Sequence, residues 1–92
     1  MGYEFEWDST KAATNLRDHG IAFEEACTVF ADPLAALIPD PDHSEVEERY
    51  LVLGMSTGGR VLVVAFADHG SMTRLISGRV ATRRERRKYG ES

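Results

Sequence analysis

Apolar and polar residues alternate strictly over residues 3–7, with Tyr3, Phe5 and Trp7 on one side and Glu4 and Glu6 on the other. A period of two marks a half-buried strand. Asp8 can cap a helix over residues 9–19, and Gly20 stands where that helix stops. Ala12, Leu16 and His19 share one stripe of it, and Ala13 lies beside Leu16. A shorter helix is expected over residues 23–30, with Phe23, Ala26, Cys27 and Phe30 as its apolar stripe. Asp32-Pro33 ends it, because the residue before a proline is driven out of the helical region.

The rest of the chain reads as strands. Residues 34–38 form an apolar run, and residues 39–46 an acidic loop. A strand over 49–55 leads through Ser56-Thr57-Gly58-Gly59, where paired glycines accept a hairpin turn, into a nearly all-apolar strand over 61–67. Asp68-His69-Gly70-Ser71 reads as a second turn, and a last strand covers 72–79. Thr82-Arg83-Arg84-Glu85 has the form of a capping box, so a helix is expected over about 83–89. The order is βααββββα. Tight turns between successive strands make a meander, so the fold class is α+β, a curved antiparallel sheet packed by helices. With 92 residues and no repeat or linker, this is one domain, residues 1–92. Such a chain buries only about 60% of its unfolded surface, so a tight partner would help it.

Cys27 is the only cysteine, which fits a reducing cytoplasm and excludes a disulfide within the chain or a cysteine-based zinc cluster. No apolar run approaches the roughly 18 residues of a membrane span, so no membrane association is expected. Glu4 and Glu6 argue against a signal peptide at the start. The net charge of −4 conceals an asymmetry. Residues 1–50 carry 12 acidic and 3 basic side chains, whereas residues 71–92 carry 2 acidic and 7 basic. Two readings stand: the basic segment meets nucleic acid, or the two halves neutralise each other in the fold.

Several short motifs stand in order along the chain. They are Phe5-x-Trp7-Asp8, Lys11, Asn15, His19-Gly20, Phe23-Glu24-Glu25-Ala26, Val29-Phe30-x-Asp32-Pro33, Glu47-Glu48-Arg49, Gly54-x-Ser56 and Gly59-Arg60-x-Leu62-x-Val64. Arg74-x-Ile76-Ser77-x-Arg79-x-Ala81-Thr82-x-x-Glu85-x-x-x-Tyr89 completes them. Together they resemble the BrnT toxins. The resemblance implies a RelE-like fold and an endoribonuclease toxin of a type II toxin–antitoxin system that inhibits translation and arrests growth. It also implies a cognate BrnA-type antitoxin, encoded alongside, which binds operator DNA and forms a hetero-oligomer with the toxin. Three departures from the family pattern involve four residues. Asp18 stands where lysine is usual, Gly78 and Val80 flank Arg79 in place of Ala and Lys, and Ala22 replaces a capping Ser or Thr.

Metal-independent RNA cleavage uses the 2′-hydroxyl as nucleophile. It needs a base, an acid for the leaving 5′-oxygen, and cations around a phosphorane richer in negative charge. Arginine suits the last role because its fork grips two phosphate oxygens. Arg74 and Arg79, in the matching motif, are the first candidates. Five residues apart, they point to opposite faces of a perfect strand, and a bulge at Gly78 would reunite them. Glu48 is a candidate base and Arg49 a phosphate clamp, or else the pair is a cross-strand ion pair. His19 belongs to the residue type suited to proton transfer at neutral pH, or it simply closes its helix. Arg83, Arg84, Arg86, Arg87 and Lys88 put five cations within six residues, which calls for an anion such as RNA, an acidic antitoxin or the chain's own first half. Of these, Arg83, Arg84, Arg87 and Lys88 share a broad face. Tyr89 either stacks on a base or anchors that helix. Asp40-Pro41-Asp42-His43 lacks a matching partner, so neither metal nor cofactor is expected. The alternative to a nuclease is a catalytically weak or inactive module that binds RNA and antitoxin in operon autoregulation.

Overall fold

The computed structural model describes residues 4–39 and 49–90. In chain order they form β1 (Phe5–Glu6), α1 (Ser9–His19), α2 (Phe23–Ala26), a 3₁₀ turn (Cys27–Ala31), β2 (Ala36–Pro39), β3 (Arg49–Met55), β4 (Val61–His69), β5 (Met72–Val80) and α3 (Arg83–Lys88). The sheet order is β1-β5-β4-β3-β2. Strands β2 to β5 are the expected antiparallel meander. The sheet is mixed rather than wholly antiparallel, because β1 pairs parallel with β5, Phe5 beside Thr73 and Glu6 beside Arg74. The α1–α2 segment carries the chain over one face between β1 and the meander, and the alternation of residues 3–7 could not reveal which edge β1 would join.

One face of the sheet is covered by α1 and α2. Ile21, Phe23, Ala26 and Val29 pack there on Val52, Leu62, Val64 and Leu75, with Phe5, Trp7, Phe30 and Phe66 around them. The rings meet edge-on or tilted, Trp7 on Phe23 at 5.8 Å and Phe30 on Phe66 at 5.0 Å between centroids. A smaller cluster lies on the second face, where Leu53, Val61, Val63 and Ala81 pack with Leu51 and Tyr89.

Helix α1 begins as expected, with the Asp8 carboxylate accepting from the N–H groups of Thr10 and Lys11, and it ends at Gly20 with φ 71°. Its inward residue differs from the expected stripe. Leu16 is 52% exposed, while Asn15 is buried against β5. The Asn15 amide donates to the carbonyls of Ile21 (2.8 Å) and Gly78 (2.9 Å) and accepts from the Gly78 N–H (3.0 Å). This closes part of the β5 edge that the two-residue β1 leaves unpaired. A Cβ on Gly78 would lie 3.2 Å from the Ala26 Cβ, so glycine there serves close packing of α2 on the strand.

The β3–β4 hairpin is tied to α2 by Glu25, which accepts from Ser56 Oγ at 2.6 Å and from Arg60 Nε at 3.1 Å. Arg60 and Ser56 together hold the Glu25 carboxyl below its ordinary range. Asp32 plays the same part beside it, at the end of β3. Its carboxylate accepts from the N–H groups of Leu34 and Met55 and from the Tyr89 hydroxyl, which joins the end of the 3₁₀ turn, β3 and the end of α3.

Candidate nucleic-acid interface

Register decides which candidate residues share a surface. In the β4–β5 ladder Ala65 opposes Ser77 and Phe66 opposes Leu75, so Ile76 is one residue too many. The bulge is therefore at Ile76, not at Gly78, and its effect on the strand is the expected one. Leu75 and Gly78 both face the helices although three residues apart. Their neighbours Arg74 and Arg79 consequently both face the other way. Arg49 lies opposite Ala67, which in turn lies opposite Arg74. All three arginines thus stand on the second face, away from α1 and α2. Arg79 is opposite Val63 and Arg74 opposite Ala67, four residues along β4, so their backbones are about 13 Å apart. The two mark separate poles of the face.

At the Arg74 pole, β4 continues two residues past its expected end, and His69 becomes a strand residue in register with Met72. By alternation from Ala67 its side chain joins the arginine face. The Glu6 carboxylate, delivered by the parallel strand β1, lies 3.0 Å from His69 Nδ1 and 3.7 Å from Arg74 Nη1. These side chains are 33% (Glu6), 40% (Arg74) and 51% (His69) exposed, open to a ligand. Asp8 stands near enough for Arg74 and Lys11 to favour its charged form, although the N–H groups of Lys11 and Thr10 do most to hold its carboxyl low.

The Arg79 pole is already neutralised. Arg79 donates from Nη1 and Nη2 to the two oxygens of Glu85, at 2.8 and 2.9 Å. Glu85 also accepts from the Thr82 N–H while Thr82 Oγ1 accepts from the Glu85 N–H, the capping box that opens α3. The Arg79 guanidinium, with help from the Thr82 N–H, holds the Glu85 carboxyl at about 2, below its ordinary 4.5. A depressed carboxylate stabilises the fold above its unfolded pKa, and that contribution is lost as pH falls from about 4.5 through about 2. Glu85→Gln is expected to cost about 1–2 kcal/mol near neutral pH, discounted for solvent reaching both side chains. In urea titrations the gap between variant and wild type should close on acidification toward pH 3; a gap independent of pH would show that Glu85 is not the titrating group.

The other candidates fall as follows. Arg83, Arg84, Arg86, Arg87 and Lys88 are exposed along α3, and among the described residues none makes an ion pair. Tyr89 packs on the second-face cluster and donates to Asp32, so it anchors α3 rather than offering its ring for stacking. His19 is exposed at the end of α1, in a shallow cleft of about 320 Å³ with Lys11, Asp18, Ile76 and Ser77 at the outer edge of β5. The structure does not bring it to Glu6, His69 and Arg74 by any hydrogen bond. Glu48, Glu47 and His43 lie outside the described residues. Among the described residues no group of three acidic, histidine or cysteine side chains could hold a metal, and no helix is long and apolar enough to cross a membrane.

Sequence reasoning missed Glu6 and His69. Asp68-His69-Gly70-Ser71 has turn composition, yet the alternation Val63, Ala65, Ala67, His69 was the signal that the strand ran on.

A family model described as "Ribonuclease toxin, BrnT, of type II toxin-antitoxin system" matches residues 7–85. Among solved structures, the ribonuclease toxin BrnT of Brucella abortus superimposes with a TM-score of 0.69 at 25% sequence identity, covering 89% of this chain and 100% of that one. A search of curated proteins finds no match. The matched region runs from Trp7, beside β1, to Glu85 in α3, and the α+β architecture is shared with the Brucella toxin, so the chain belongs to the BrnT family of ribonuclease toxins of type II toxin–antitoxin systems.

Proposed function

We propose that this chain is a metal-independent endoribonuclease whose substrate lies along the second face of the sheet. The observation that carries the reading is the alignment of Arg49, Arg74 and Arg79 on that one face. Two short side chains, Ala65 and Ala67, separate them along β4, which lets a polyanion approach the strand. Arg74, with Arg49 beside it across Ala67, supplies the positive charge that a phosphorane requires, so attack by the 2′-hydroxyl can proceed without a Lewis acid. Arg74 is the substrate-facing cation, while Arg79, its fork filled by Glu85, holds α3 in place. The α3 cations Arg83, Arg84, Arg87 and Lys88 steer RNA toward the face, a long-range effect that salt weakens. The partner is a BrnA-type antitoxin that binds operator DNA and neutralises the toxin in a hetero-oligomer, and cleavage in the cytoplasm inhibits translation and arrests growth.

The second reading is a binding module with little or no turnover, acting in operon autoregulation. The Arg79–Glu85 pair favours it, since a phosphate would have to displace a bidentate carboxylate.

Purified chain freed of antitoxin should cleave a defined RNA in the presence of EDTA, and its antitoxin should suppress that cleavage. RNA binding without cleavage above a buffer control would establish the binding module instead.

A further inference from the structure

Glu6, His69 and Arg74 form a constellation with more chemistry in it than a surface ion pair. An ionised carboxylate only accepts hydrogen bonds, so the 3.0 Å contact to Glu6 Oε2 places a proton on His69 Nδ1. In the neutral imidazole Nε2 then carries the lone pair, and it has no described partner. The imidazole is oriented from behind by a carboxylate, as a general base must be if its geometry is to be fixed. Glu6 is itself fixed, because β1 is hydrogen-bonded beside β5 and its carboxylate spans His69 and Arg74. Charged groups reach this point from three strands: Glu6 on β1, Arg74 on β5, and Arg49 on β3 across Ala67. Asp68 points to the opposite face. His19 has no such support, since no described side chain hydrogen-bonds to it.

We propose that His69 is the proton-accepting catalytic residue of this ribonuclease, with Glu6 as the residue that positions it and Arg74 as the cation that meets the reacting phosphate. The proposal rests on the reading of the chain as a ribonuclease that uses this face. Nε2 takes the proton of the 2′-hydroxyl, and O2′ forms a bond to phosphorus as the bond from phosphorus to O5′ breaks. The departing 5′-oxygen takes a proton from solvent water. The products are a 2′,3′-cyclic phosphate and a 5′-hydroxyl, and the hydroxide left from water recovers the proton held on His69. Stability gives no competing reason for the arrangement, because an ion pair this exposed contributes little to folding.

The test compares the full-length chain with His69→Ala, His69→Gly and Glu6→Gln on one defined RNA. His69→Ala should lower the cleavage rate by about 100-fold or more, while RNA affinity stays within about twofold of wild type. Free imidazole should restore part of the rate to His69→Gly, a response that a structural role would not produce. Glu6→Gln should lower kcat with little change in KM, since it touches no substrate atom. The proposal is overturned if His69→Ala cleaves within about threefold of wild type. It is equally overturned if the lost rate is matched by lost RNA affinity and imidazole restores nothing. A wild-type chain that binds but does not cleave RNA overturns the ribonuclease reading itself, and this role with it. Thermal midpoints of all variants, expected close to wild type, separate these outcomes from misfolding.

Discussion

Arg74→Ala is expected to lower RNA cleavage by roughly 100- to 1000-fold, the usual effect of removing one preorganised group that meets developing negative charge. Its stability should barely change, because Arg74 contacts Glu6 only at 3.7 Å on an accessible surface. Arg79→Ala makes the contrast. Arg79 holds both oxygens of Glu85, so its loss leaves the α3 capping carboxylate without its main partner. That variant should lose about 1–2 kcal/mol and loosen α3, with a smaller drop in cleavage. Rates measured in EDTA beside urea unfolding curves give both quantities for both variants. If Arg74→Ala cleaves at the wild-type rate, or if Arg79→Ala is the more damaging to turnover and harmless to stability, the two poles of the face have been assigned the wrong way round.

The largest loss of stability is expected at Asn15. Its amide serves three backbone groups, the carbonyls of Ile21 and Gly78 and the N–H of Gly78, all in a buried setting. Asn15→Ala leaves these without partners, at a cost of about 3 kcal/mol. For a domain of this size that is a lowering of the thermal midpoint by roughly 12–24 °C. Few small domains have much more than about 5–10 kcal/mol to lose. Asn15→Asp should be no better, because it removes both donors and sets a carboxylate against two carbonyls. A midpoint within a few degrees of wild type would mean that water or a neighbouring group takes over the amide's work.

Local signals were legible wherever a residue acts on its own neighbourhood. Asp8, Gly20, the glycine hairpin turn and the Thr82–Glu85 box each act within four residues, and α1, β4 and α3 begin where they indicate. The expected helix over 23–30 is instead one α-turn followed by a 3₁₀ turn, tightened where the chain meets Asp32-Pro33. The parallel partner of β1 was not legible, since Glu6 and Arg74 are 68 positions apart in the chain and no local rule connects them. The motif residues also looked alike on paper. Asn15, Glu25, Asp32, Ser56, Arg60, Glu85 and Tyr89 all belong to those motifs, yet each one's contacts tie two elements of the fold together. Spacing carries the presence of such residues but not their direction, and direction separates a scaffold carboxylate from one that faces substrate. For Arg74 and Arg79 the deciding fact was a single extra residue at Ile76, which shifts the parity of the strand.

The parallel seam between β1 and β5 has a consequence for how the molecule is made. Glu6 reaches its histidine only after residues 69–74 exist, and Asn15 finds its carbonyl only when Gly78 does. A ribosome releases β1 well before β5, so the first strand must wait for a partner 68 positions later in the chain. Until then the nascent chain lacks the assembled Glu6–His69–Arg74 group. On the role proposed for this group, the nascent chain carries no assembled catalytic site until residues 69–78 have left the ribosome.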